Sequence, residues 1–210
     1  MKTKTYLLIL LMGLAQVSLS AKDIFSLKSG DPMVLLQDGK KAIYRIDYSE
    51  MMVTDSKNHD NDMLFKEWMI SQDEDNDKWT TDWIEKDSAS CDKAFREGFN
   101  DEVKKSIKLS KVAKDYSLTL RLTMIDFGSA VKYSPIKGIT GGNASATGEI
   151  VVKDYKTGEV LLILSFEELK GEGSMKQIGR LKGVFENLGE NLNDYLKGYK
   201  KSQKKKDQKQ

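Results

Sequence analysis

Polar and apolar positions along the chain change period several times, and each change marks an element. Ala42, Tyr44, Ile46 and Tyr48 interleave with Ile43, Arg45, Asp47 and Ser49, a period of two that predicts a half-exposed strand continuing to Val53. Ahead of it, the turn cluster Ser29-Gly30-Asp31-Pro32 precedes Met33-Val34-Leu35-Leu36, read as a short strand, and Gln37-Asp38-Gly39-Lys40 supplies a hairpin-type turn. Cys91, Phe95, Phe99 and Val103 recur at i, i+4 steps and predict an amphipathic helix over 88–107, with Asp87 or Ser88 as N-cap. Tyr116, Leu118, Leu120, Leu122 and Met124 share one face of a strand over 116–127. Residues 128–147, rich in glycine and small side chains, read as a long loop. A hairpin follows, with strands over 149–155 and 159–166 and the turn Lys156-Thr157-Gly158.

Ile178, Leu181, Val184, Phe185, Leu188, Leu192, Tyr195, Leu196 and Tyr199 form one apolar stripe and predict a long helix over 175–199. Gly179, Gly183 and Gly189 each lower its helix propensity by about 1 kcal/mol relative to alanine, which points to close packing of its backbone on a sheet. Residues 54–86 interrupt the pattern as an acidic insert. Leu64, Phe65, Trp68 and Met69, then Trp79 and Trp83, mark two short helical pieces separated by the polar tract 71–78. The order β-β, insert, α, β, β-hairpin, α predicts an α+β fold: a two-layer sandwich with a mainly antiparallel sheet and principal helices near 88–107 and 175–199. Residues 21–199 read as a single domain. Residues 200–210 have no apolar side chain and read as a disordered basic tail.

The N-terminus changes the setting. Lys2 and Lys4 precede an apolar stretch over 6–15, and Ser18 and Ser20 stand as the small −3 and −1 residues of a cut before Ala21. Residues 1–20 thus read as a secretory signal peptide, its apolar run far short of the roughly 20 residues that span a bilayer. No cysteine near the cut offers a lipidation site. Cys91 is the single cysteine of the 210 residues, so no internal disulfide can form. An exported bacterial protein, periplasmic or at the cell surface and not lipid-anchored, fits these features.

Charge refines the choice of partner. Without Lys2 and Lys4 the formal +2 falls to near zero, and the tail holds six lysines against Asp207, so the folded body is about five charges acidic. Twelve acids against four lysines lie over 50–87. This balance excludes a basic nucleic-acid binder. The lysine tail, with no apolar side chain beside its charge, reads first as solubilising, and otherwise as a contact with an anionic surface such as lipid headgroups or acidic polysaccharide.

Gly138-Ile139-Thr140-Gly141-Gly142 through Gly148, followed by a strand and the Asp154-x-x-Thr157-Gly158-Glu159 hairpin, resembles the soluble domain of curli-secretion-channel-type envelope lipoproteins and related small envelope proteins of bacteria. The resemblance covers 42–199 with the 54–86 insert outside it. It implies an α+β fold and an envelope setting. It carries over neither a channel nor catalytic residues, and the lipid-anchoring cysteine of that family is missing.

Candidate chemistry concentrates in the insert. Asp73, Asp75 and Asp77 occupy positions 1, 3 and 5 of a calcium-loop pattern, where alternating carboxylates converge on a hard cation. Position 6 is Lys78 in place of glycine and position 12 is Ile84 in place of a bidentate glutamate, so a solvated acidic loop is the plainer reading, with Ca²⁺ the one cofactor suggested. Trp68, Trp79 and Trp83 beside these acids suit a small-molecule, glycan or partner surface, or else anchor short helices on the sheet. The glycine-rich 138–148 segment leads into a strand and lacks a Gly-Lys-Ser/Thr ending, which argues against a phosphate loop. Cys91 lies on an apolar stripe and His59 stands alone in an acidic turn. With 32 acids a carboxylate pair for hydrolysis is available, but its spacing depends on the fold. The sequence as a whole reads as a non-catalytic envelope protein that docks onto a protein partner, with a ligand-binding module built on the insert as the alternative.

Overall fold

The computed structural model describes residues 24–54, 62–74, 78–100, 106–112, 115–128, 131–134 and 138–208. The signal segment, His59, Asp75 and Asp77 lie outside these residues. Eight strands form one mixed sheet and a further pair forms a separate hairpin. In chain order these are β1 (Phe25–Gly30), β2 (Lys41–Asp47), β3 (Met52–Thr54), β4 (Met63–Leu64), β5 (Lys108–Ser110), β6 (Tyr116–Asp126), β7 (Val131–Ser134), β8 (Gly138–Gly141), β9 (Ser145–Asp154) and β10 (Val160–Lys170). The helices are α1 (Phe65–Glu74), α2 (Trp79–Asp82), α3 (Ser88–Asn100) and α4 (Gln177–Asp207).

The sheet runs β1-β10-β9-β6-β2-β5, with β3 beside the far end of β6 and β4 beside β3. Its centre, β10-β9-β6, is antiparallel, as the hairpin pattern requires. Asp154 Oδ1 fixes the turn by accepting the backbone N–H of Lys156 and of Thr157, each at 2.9 Å, and Gly158 supplies the positive φ of 74°. On the other side β2 and β3 both run parallel to β6. The single strand expected over 42–53 is therefore one line along β6, broken at 48–51.

The α+β class holds, and several local expectations change. Residues 32–36 form a 3₁₀ helix: Pro32 presets its first turn and Asp31 accepts the N–H of Met33. In β6 a bulge between Leu122 and Met124 shifts the alternation, so Ile125 enters the core and Met124 does not. Residues 128–147 are not a loop throughout, since they contain the β7–β8 hairpin and the start of β9. Ile107 lies outside a helix and leads into β5. Its N–H donates to Leu35 O at 3.1 Å. β1, which the sequence pattern did not suggest, is an edge strand on β10. The tail read as disordered continues α4 as helix to Asp207.

Helices α3 and α4 pack against each other, with α4 lying over β9 and β10 and α3 at the β5 side. Tyr44 of β2 stacks on Phe95 of α3 at 4.9 Å, and Phe25 of β1 meets Tyr195 of α4 at 5.4 Å. The core lies between these layers, filled by Leu118, Leu120, Ile150, Val152, Leu162 and Leu164 from the sheet and Leu181, Leu188, Leu192 and Leu196 from α4. Gly179, Gly183 and Gly189 of α4 do mark close approaches, though not to strands. Gly189 faces α3, Gly183 faces the backbone of Glu172, and Gly179 faces Ser174.

Candidate functional site

The acidic insert closes one end of this body. Phe65 opens α1, and Lys78, held in the left-handed region at φ 51°, turns the chain into α2. The Asp73 carboxylate accepts the backbone N–H of Thr80 at 3.1 Å, which satisfies a donor in the first turn of α2. Hydrogen bonding from Thr80 holds the Asp73 carboxyl below the ordinary aspartate range. A π-helical segment, Trp83–Asp87, joins α2 directly to α3, so Asp87 and Ser88 sit inside a continuous helical run and cap nothing.

All three tryptophans are buried, Trp68 to 9%, Trp79 to 8% and Trp83 to 2% exposure. Trp68 stacks on Phe127 at 4.6 Å and meets Trp79 edge-on at 4.8 Å. Trp83 meets Phe65 at 5.0 Å and Tyr48 at 5.3 Å. These contacts join the insert to the end of β6 and to β2's exit. The Trp83 Nε1 is buried with no hydrogen-bond partner.

Beside this cluster lies a cavity of about 760 Å³. It is lined by Trp79, Asp82, Lys86 and Asp87 from the insert side, by Arg180 and the start of α4, and by Gly128. Arg180 is 1% exposed. Its Nε donates to Phe127 O at 2.7 Å, and its Nη1 donates to Ser174 O at 2.9 Å and Met175 O at 3.1 Å. Arg180 thus ties the end of β6 to the β10–α4 connection, and burial lowers its pKa. Across the cavity Lys86 pairs with Asp82 at 3.0 Å, which raises the Lys86 pKa. Burial and the Asp82 charge push the Asp87 carboxyl up, partly offset by Lys86.

This arrangement can hold a polar small molecule between an aromatic wall, an acidic side and a buried guanidinium. It offers no thiol nucleophile: Cys91 is buried in α3, and burial pushes its thiol up to about 12. Among the described residues no group of three or more His, Cys, Asp or Glu is placed to hold a metal ion. Among the described residues Trp79 is the one predicted site residue on the cavity wall. Sequence reasoning missed Arg180. The signal for it was an arginine four residues before Val184, on the apolar stripe of an amphipathic helix, where a charge has to find partners.

Among the described residues no helix is long and apolar enough to cross a membrane. No family model matches the chain, and no curated protein matches it. Among solved structures, a PelC point-variant dodecamer from Paraburkholderia phytofirmans is loosely similar, with a TM-score of 0.33 and 9% identity over 80% of this chain and 95% of that one.

Proposed function

We propose that the protein is an exported, non-catalytic accessory domain of a bacterial envelope that docks onto another envelope protein. Export rests on the signal-type N-terminus, with processing before Ala21. The observation that carries the docking is the basic arm. Leu196 is the last fully buried residue of α4, yet the helix runs on to Asp207. At about 100° per residue, Lys197, Lys200, Lys201, Lys204 and Lys205 fall in one sector roughly opposite Leu192, Tyr195, Leu196 and Tyr199. Those five lysines face away from the line along which α4 packs on the body, while Lys206 falls on the other side. Such a face attracts an acidic partner and fixes its orientation.

A capture from detergent-solubilised envelope tests this, with the mature chain and the same chain ending at Tyr199 as baits, at low and high salt. One near-stoichiometric protein, lost on truncation or at high salt, supports docking through the arm. Capture by both baits moves the contact to the body. Lipid or polysaccharide in place of a protein replaces the partner class, and no specific capture rejects the proposal.

A second reading is favoured by Trp79 on the cavity wall: a small-molecule binding module built on the insert. Ligand-dependent tryptophan fluorescence supports it, and an unchanged signal across glycans, Ca²⁺ and small organic acids rejects it.

A further inference from the structure

Among the described residues no carboxylate neutralises the buried guanidinium of Arg180. A charge withdrawn from water is costly unless an opposite charge accompanies it, and three backbone carbonyls bring only partial charges. They occupy Nε and Nη1, which leaves Nη2 without a hydrogen-bond partner among the described residues. No ion pair joins Arg180 to an acid among those residues, and the two acids of the cavity are turned to other charges. Asp82 is held by Lys86 at 3.0 Å, and the charges that act on Asp87 are those of Lys86 and Asp82. Among the described residues the cavity is therefore polarised, with its acids on the insert side and a cation without an acidic partner on the α4 side.

Two further features strengthen the positive end. Lys176 lies exposed on the cavity lining at the N-cap of α4. No side chain caps that helix, and Gln177 and Ile178 of its first turn also line the cavity, so the positive end of a 31-residue helix faces the same space. Trp79 and Ile178 add apolar atoms to the lining.

We propose that this cavity binds a small anionic molecule, carrying a carboxylate or a phosphate, whose oxygen accepts from Arg180 Nη2 while Lys176 completes the charge at the rim and Trp79 packs on the apolar part. The assignment rests on the second reading above, that the cavity takes a ligand, and adds the ligand's charge. It is independent of the basic arm, which lies at the other end of α4. Charge-assisted contacts of this kind are the strong ones.

The test is calorimetric titration of the full mature chain with cyclohexanecarboxylate, its isosteric neutral amide and inorganic phosphate. Saturable binding of at least one anion, with the amide at least tenfold weaker than the carboxylate if the carboxylate is the binder, is the expected result. Lys176→Gln, an exposed change, should weaken the anion severalfold with an unchanged melting temperature. Arg180→Lys, checked for native circular dichroism, should weaken it at least tenfold. Should Arg180→Lys fail to fold, the Lys176→Gln result alone decides. Equal binding of amide and carboxylate, or binding of the amide alone, overturns the anionic assignment and leaves the cavity reading standing. Anion binding that neither variant weakens places the anion elsewhere and overturns the proposal. No binding of any probe at millimolar concentration overturns both.

Discussion

Gly98 of α3 and Gly189 of α4 meet where the two helices cross, and neither position has room for a side chain. A Cβ on Gly189 would stand 2.6 Å from Phe95 O and 2.9 Å from the carbonyl carbon of Gly98, and one on Gly98 would stand 2.6 Å from Glu186 O. The atoms in the way are backbone, which cannot rotate aside. Gly189→Ala gains about 1 kcal/mol of helix propensity but forces the helices apart, an overpacking cost of about 1–3 kcal/mol. The variant should be less stable in urea. Gly198, where an added Cβ meets nothing within 4 Å, is the control. Gly198→Ala should be neutral or up to about 1 kcal/mol more stable.

Asn193 makes the same crossing specific. It is fully buried, and its Nδ2 donates to Gly98 O at 2.9 Å and to Phe99 O at 2.7 Å, two carbonyls near the end of α3. Its Oδ1 has no partner. Asn193→Leu removes that orphaned oxygen but strands two buried carbonyls, and the second effect wins because each unmet group costs about 1–3 kcal/mol. Urea denaturation should show a loss in that range. Asn193→Asp, which puts an acceptor against both carbonyls, should lose more.

Much of this framework was legible in the chain, and the failures have physical causes. The β9–β10 hairpin could be read because its signals are local: Asp154, Thr157 and Gly158 set the turn with their own backbone bonds. The two main helices could be read because a stripe such as Leu181–Leu188–Leu192 has one period only. β1 was invisible because its exposed pattern has meaning only beside β10, more than a hundred residues later. The parallel pairing of β2 with β6 likewise depends on Asp115, which accepts from Lys41 N–H and Lys40 Nζ across a long loop closure. At the candidate site Trp79 carried a signal. Arg180 was masked because helical periodicity counts an arginine on a stripe as noise, although its buried partners lie on two other connections.

Glu168 holds φ at 47° in the bulge of β10 between Phe166 and Leu169, and its N–H donates to Thr147 Oγ1 at 3.2 Å. The left-handed region costs a residue with a Cβ about 1 kcal/mol or more, and glycine little. Its exposed side chain contributes little to the core. Glu168→Gly should therefore raise stability by up to about 1 kcal/mol in equilibrium denaturation, and Glu168→Val should lower it.

Asp115 makes stability acid-sensitive. The backbone N–H of Lys41, and next the Lys40 ammonium at 3.0 Å, hold its carboxyl below the ordinary aspartate value. Thr157 and Lys156 N–H groups do the same for Asp154. A carboxylate with a lowered folded pKa stabilises fully above the unfolded value of about 4, and that contribution is lost as pH falls through the folded pKa. The urea midpoint should hold steady near neutrality and drop as the pH falls below about 4. Asp115→Asn should lower the neutral midpoint and flatten part of that drop.

Cys91 reports on opening of the α3–α4 layer. Its side chain is fully buried in α3, and burial, with Asp87 and Asp92 adding to it, pushes the thiol up to about 12. Only the thiolate attacks a disulfide reagent, so the native chain offers neither access nor the reactive species at neutral or mildly alkaline pH. Native protein should consume no Ellman's reagent on the time scale in which urea-unfolded protein consumes one equivalent. In the native state the slow labelling rate should rise with Gly189→Ala and Asn193→Leu in proportion to their loss of stability, because both loosen the helix crossing that covers the thiol. Fast labelling of the native chain, unaffected by those substitutions, would place Cys91 at an accessible surface and contradict the packing described for α3.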